Sequence, residues 1–100
     1  MMTNEQYLLG KLAEEAAELA QIAIKAQQFG IDEVFGGDSN PDKLSNRDRI
    51  EAEFNDVLGI IYALDVEENV HVTQNFEAQN EKVRKMHKWR DYARELGLVE

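Results

Sequence analysis

The sequence predicts an all-α protein: an antiparallel helical bundle of three long helices, with room for a short fourth. Three observations carry that expectation. Apolar residues recur at spacings of three, four and seven along most of the chain. Only one Pro and six Gly interrupt 100 residues. No strand-rich region appears: Val70 and Val72 alternate with polar residues, but a strand that short has no partner.

The first helix is expected over Asn4–Gln28. Thr3 with Gln6 three residues on reads as a capping box. Leu8, Leu12, Leu19, Ile22 and Phe29 mark the inward stripe. Six alanines (Ala13, Ala16, Ala17, Ala20, Ala23 and Ala26) favour helix and let a neighbour approach closely. Gly30 is placed to end it. Residues 30–45 hold Gly36, Gly37 and Pro41 and form a connection that is long for a compact bundle. That length marks it as functional or partly structured. Ile31, Val34 and Phe35 within it suit a short apolar turn packed on the body or on a partner subunit.

The second helix is expected over Asn46–Glu67, capped by Ser45 or Asn46, with Asp48 in its first turn. Ile50, Phe54, Val57, Ile61 and Leu64 give its stripe. The pattern lapses over 68–73. The third helix is expected from Thr73 or Gln74 to Leu96, closed by Gly97. Its apolar positions are Phe76, Val83, Met86, Ala93 and Leu96.

The chain carries 20 acids against 11 Lys and Arg, a formal charge of −9. Such a balance argues against a general binder of nucleic-acid polymers and against docking on anionic membrane. No run approaches the roughly 20 apolar residues of a spanning helix. The opening MMTNEQYLL lacks the basic start and long apolar stretch of a signal peptide, so a cytoplasmic protein is expected. The absence of cysteine excludes disulfides, thiolate zinc sites and Cys nucleophiles.

The informative feature is where some of the acids fall. In Glu14-Glu15-Ala16-Ala17-Glu18, Glu14 and Glu18 lie roughly 40° apart around the helix, and Glu15 about 100° from Glu14. Along the series Leu8, Leu12, Leu19, Ile22, the missing position is 15. Glu15 therefore takes the place of a core residue. Glu53-Phe54-Asn55-Asp56 repeats the anomaly, because Glu53 lies on the ridge Ile50–Glu53–Val57–Ile60, with Asp56 on the same side three residues on. No Lys or Arg falls within the inward group. A carboxylate there costs several kcal/mol of desolvation unless it is paired or binds a metal. A hard divalent cation, Mg²⁺ or Mn²⁺, is the simplest remedy, and it suits a phosphate-bearing substrate. The bland reading is a solvated acidic face.

These residues resemble the EExxE…ExxD signature of the all-α nucleoside triphosphate pyrophosphatases, the MazG-like family, over roughly Leu8–Lys85. The resemblance implies that Glu15, Glu18, Glu53 and Asp56 hold Mg²⁺. Asn80-Glu81-Lys82-Val83-Arg84-Lys85 resembles the family's Asn-x-Lys-Phe-x-x-Arg segment. By that match Asn80, Lys82 and Lys85 bind substrate. Lys85 stands where an Arg is usual, and the gap between Glu18 and Glu53 is longer than the family shows. The implied reaction is hydrolysis of an NTP or dNTP between its α and β phosphates to a monophosphate and pyrophosphate. Glu14 is the candidate catalytic group to orient or deprotonate the water. Phe35, Phe54, Trp89 and Tyr92 are candidates to stack on the base, or are core or interface residues.

Bland readings remain beside these. Asn80 equally suits a satisfied core or interface amide. The cluster Lys82, Arg84, Lys85, Lys88 and Arg90 also complements a helix C-terminal half. Three helices with a carboxylate-lined interior bury too little apolar surface alone. A homodimer or homotetramer, completing a four-helix core around each site, is expected. The competing classes are a non-catalytic acidic helical adaptor and, within enzymes, dUTPase-like or phosphoribosyl-ATP pyrophosphatase-like activity. A di-iron bundle needs two Glu-x-x-His units. Only Glu68-Asn69-Val70-His71 offers one.

Overall fold

The computed structural model describes all 100 residues, Met1–Glu100. It is all-α: helix α1 spans Asn4–Phe29, α2 Asn46–Glu68 and α3 Phe76–Glu95. No strand forms beyond a single antiparallel bridge between Val34 and Ser45. No fourth α-helix forms; one 3-10 turn spans Gly37–Ser39.

Side chains set the helix ends as their types dictate. The Gln6 N–H donates to Thr3 Oγ1 at 3.1 Å, and the Thr3 N–H donates to Gln6 Oε1 at 2.9 Å. That reciprocal box fixes the start of α1. Gly30, at φ 108°, ends it. Ser45 Oγ caps α2 by accepting from the Asp48 N–H. Asn69 stops α2 in the left-handed region. Helix α3 begins later than Thr73 or Gln74, because Asn75 Oδ1 accepts from the Ala78 N–H. A capping residue holds extended backbone, so the helix cannot include what precedes it.

Helices α1 and α2 pack as an antiparallel hairpin. Asn4, at the start of α1, donates through Nδ2 to Glu67 at 3.2 Å and Glu68 at 2.8 Å, at the end of α2. Leu8, Ile22 and Leu64 are the buried apolar residues. Leu12, Leu19, Ile50, Val57 and Ile61 are half-buried beside them. Phe54 and Phe29 depart from the expected stripes, being 51% and 56% exposed. The half-buried ridge of α2 runs through Ile50, Glu53 and Val57. Phe54, one residue and about 100° round from Glu53, turns away from it. Five of the six alanines, all but Ala26, are exposed, so within one chain no neighbour uses their small size.

The long connection is ordered by two asparagines. Asn40 is 6% exposed. Its Nδ2 donates to the carbonyls of Phe35 and Leu44, and its Oδ1 accepts from the Leu44 N–H. Asn46 is completely buried and donates to the Gly30 carbonyl at 2.9 Å. Its own N–H donates to the Glu33 carbonyl. Phe35 stacks on Phe29, with ring centroids 6.2 Å apart, and Lys25 lies over both rings. The Ile31–Phe35 segment thus packs on the end of α1. Gly36 (φ 115°) has no room for a side chain: a Cβ would come within 2.8 Å of Ser39 Oγ.

Helix α3 packs against neither α1 nor α2. The single chain is therefore a hairpin with a helix standing off it, not a closed three-helix bundle. Phe76, Val83, Met86, Trp89, Tyr92 and Leu96 are all exposed. The radius of gyration is 17.0 Å, against about 13 Å for a compact chain of 100 residues. The surface is 8022 Å², against about 5,800 Å² for a folded monomer of this mass.

The asparagine-centred connection generates one stability prediction. Asn40→Ala removes three hydrogen bonds from a buried site and should cost about 1–3 kcal/mol. A lowered urea midpoint, with faster proteolytic cutting between residues 31 and 45, would register it. An unchanged midpoint and cutting rate would show that Asn40 does not hold the connection.

Candidate metal centre

The seam between α1 and α2 brings together three acids from two helices. One carboxylate oxygen from each of Glu15, Glu18 and Glu53 lies within 4.8 Å of the other two. Glu15 reaches the seam because its position belongs to the α1 stripe, between Leu12 and Leu19. Glu53 reaches it from the ridge of α2. Glu18 joins from the exposed edge of α1. Oε2 of Glu15 and Oε2 of Glu53 are buried and have no hydrogen-bond partner.

The electrostatics follow from that placement. Burial pushes the Glu53 carboxyl up, and contacts with Glu15 and Glu18 push it further, to about 8. Like charges this close cannot all ionise without a compensating cation. None of the five ion pairs in the chain involves Glu15, Glu18 or Glu53. Three carboxylates, two of them with buried unpartnered oxygens, are donors of the type a hard divalent cation prefers.

Other residues singled out from the sequence fall elsewhere. Asp56 is exposed on α2 and lies outside the three-carboxylate group. Glu14 is exposed and pairs with Lys11 at 3.3 Å, which raises the Lys11 pKa. Asn80, Lys82 and Lys85 are exposed on α3, and the fold of one chain does not bring them to the acids. With no helix packed on α3, Asn80 is not the core amide that the sequence also allows. Arg84 pairs with Glu81, while Trp89 and Tyr92 meet edge to face. The Glu68-x-x-His71 unit is divided, since Glu68 accepts from Asn4 and His71 bonds Asp65.

Sequence reasoning missed Arg49. It lines a pocket of about 240 Å³ together with Glu53. The signal was present: Arg49 precedes Glu53 by four residues, one turn on the same side of the helix.

The raised Glu53 carboxyl has a defined consequence for stability. In the unfolded chain this group ionises near 4.5, and in the folded chain it holds its proton to about 8. The native state therefore binds more protons across that window, and stability falls as pH rises through it. Metal-free protein should melt at progressively lower temperature between pH 5 and pH 8. Glu53→Gln should flatten that slope and raise the pH 8 melting temperature, by about 4–8 °C per kcal/mol relieved. A slope that Glu53→Gln leaves intact would assign it to other groups. No family model, curated protein or solved structure matches the chain, so the functional reading rests on the residues and geometry above.

Proposed function

We propose that this chain is a Mg²⁺-dependent nucleoside triphosphate pyrophosphohydrolase, converting NTP or dNTP and water to NMP and pyrophosphate. Mn²⁺ serves in place of Mg²⁺. The observation that carries the reading is the meeting of Glu15, Glu18 and Glu53 in the seam, with two buried oxygens unpartnered. A structural role does not account for it, because unpaired carboxylates at core positions destabilise a hairpin that has few other buried residues.

The residues fit the ion by chemistry: all are hard oxygen donors, and no protein cation competes for them. Asp56, three residues after Glu53, is the fourth ligand of the proposal. A bound Mg²⁺ supplies neutralisation of phosphate oxygens and acidification of a water. Glu14, steadied by Lys11, takes the role of orienting or deprotonating the attacking water. Asn80, Lys82 and Lys85 hold the substrate phosphates.

For those α3 residues to serve, a second copy is required. The chain exposes about 2,200 Å² more than a monomer of its mass should, an excess on the scale of an obligate subunit interface. Charge points the same way. Residues 1–75 carry 15 acids and 5 bases, whereas α3 carries 6 bases and 4 acids. A homodimer or homotetramer laying α3 of one chain on the hairpin of another covers the bare apolar face and sets cations near acids. The same face, from Phe76 to Leu96, also favours a second reading, an acidic helical adaptor whose partner lies on α3.

Metal dependence separates the two. In the enzyme, Mg²⁺ raises the melting temperature, and Glu15→Ala or Glu53→Ala abolishes pyrophosphate release from the preferred nucleotide. The adaptor instead predicts no Mg²⁺ stabilisation and neutral or stabilising substitutions. Failure of every NTP and dNTP to release pyrophosphate, with either metal, would sink the catalytic assignment. Light scattering at micromolar concentration should give the mass of two or four chains. A fully active monomer would remove the requirement for a second copy.

A further inference from the structure

We infer that Arg49 is a phosphate-binding residue of the pocket beside the acid cluster, acting within its own chain. The identity of the ligand as a nucleotide rests on the pyrophosphohydrolase reading. The underlying chemistry, a polyphosphate carrying a divalent cation, can be tested without turnover.

The pocket lies between Ile22 of α1, Arg49, Ala52 and Glu53 of α2, and Asn40 and Leu44 of the connection. Opposite charges share its wall without meeting. Arg49 and Glu53 are one helical turn apart, within reach of each other, though with the base on the N-terminal side, the weaker order for an ion pair. Yet Arg49 takes part in no ion pair. Its Nη1 donates to the Phe35 carbonyl at 3.1 Å instead, which holds the guanidinium toward the connection.

That tether is firm. The Phe35 carbonyl also accepts from Asn40, which is itself buried and bonded to Leu44. Gly36 packs so closely that a Cβ there would lie 3.5 Å from Arg49 Nη1. The guanidinium of the half-buried Arg49 is thus positioned by backbone, and its other nitrogens make no hydrogen bond within the chain.

Arg49 and Glu53, the member of the acid cluster that lines this pocket, are held apart across it and suit a ligand that satisfies both. The phosphate meets the guanidinium, and the divalent cation it carries meets the carboxylates. The planar fork of Arg matches phosphate oxygens better than a Lys point charge does. Asp42 also lines the pocket and sets a like charge against phosphate. Arg49 is the one cationic residue of the wall. Lys82 and Lys85, on α3, do not reach this pocket within one chain.

The test is calorimetric titration of the full-length protein with inorganic tripolyphosphate in the presence of Mg²⁺. Arg49→Ala should weaken binding about tenfold, the loss of one charge-assisted contact. Arg49→Lys should recover part of the loss, since it keeps charge without the fork. Lys43→Gln, which removes an exposed cation outside the pocket, should stay within about twofold of the wild type. An Arg49→Ala affinity equal to that of the wild type would overturn the assignment. So would an equal loss in Lys43→Gln, which would mean bulk charge alone, or no binding by the wild type. If Arg49→Ala fails to fold, Arg49→Lys carries the test, and wild-type affinity in that variant overturns the role of the fork. Pyrophosphate release is assayed separately. Its absence with every nucleotide refutes the enzyme reading, while the tripolyphosphate affinities still decide the role of Arg49.

Discussion

Glu15 and Glu53 meet across the seam between α1 and α2, and the rest of the molecule is arranged around the cost of keeping them there. Each occupies a position where a leucine would strengthen the hairpin. Each instead brings a carboxyl whose buried oxygen has no partner. The raised Glu53 pKa is the electrostatic form of that cost. Glu18, more exposed, adds a third like charge to the group rather than relieving it. A divalent cation held there would turn this liability into binding energy, because the repulsion among the carboxylates is what such an ion removes.

The hairpin can bear that cost only if apolar burial comes from elsewhere. Within one chain only Leu8, Ile22 and Leu64 are buried apolar residues. Meanwhile α3 stands off with Trp89 and its other large apolar side chains in solvent. Two features on opposite parts of the chain are therefore complementary. The hairpin lacks a second layer and carries the negative charge. Helix α3 lacks a neighbour and carries the positive charge. The loss of the self-contained three-helix arrangement and the proposed need for a second copy are one physical statement about insufficient buried area.

The connection between α1 and α2 is the other unusual element. Its length allows it to fold back on the end of α1. Asn40 and Asn46 then satisfy backbone groups that a bare loop would leave to water. In doing so it carries Phe35 to Arg49 and forms one wall of the pocket next to the acids. An ordered loop beside a strained charge cluster gives that cluster a fixed neighbour on one side and an open approach on the other.

Much of this was legible in the amino-acid sequence, because it depends on local rules. The caps at Thr3, Gly30 and Ser45 follow from which side chains can reach a free N–H, or which residue tolerates positive φ. The acids at 15 and 53 stood out because helical periodicity alone fixes which positions share a face. What the sequence could not decide was which face turns where. Phe54 looked as apolar and inward as Val57, and only the packing of α2 on α1 chose the ridge through Glu53. Asn80 looked inward on an α3 that has no partner within the chain. Arg49 and Phe35 are fourteen residues apart, and their contact exists only because Asn40 closes the connection. Periodicity sets the angle of each side chain about its own helix; the rotation of one helix against another, and the path of a loop, are set by contacts between residues distant in the chain.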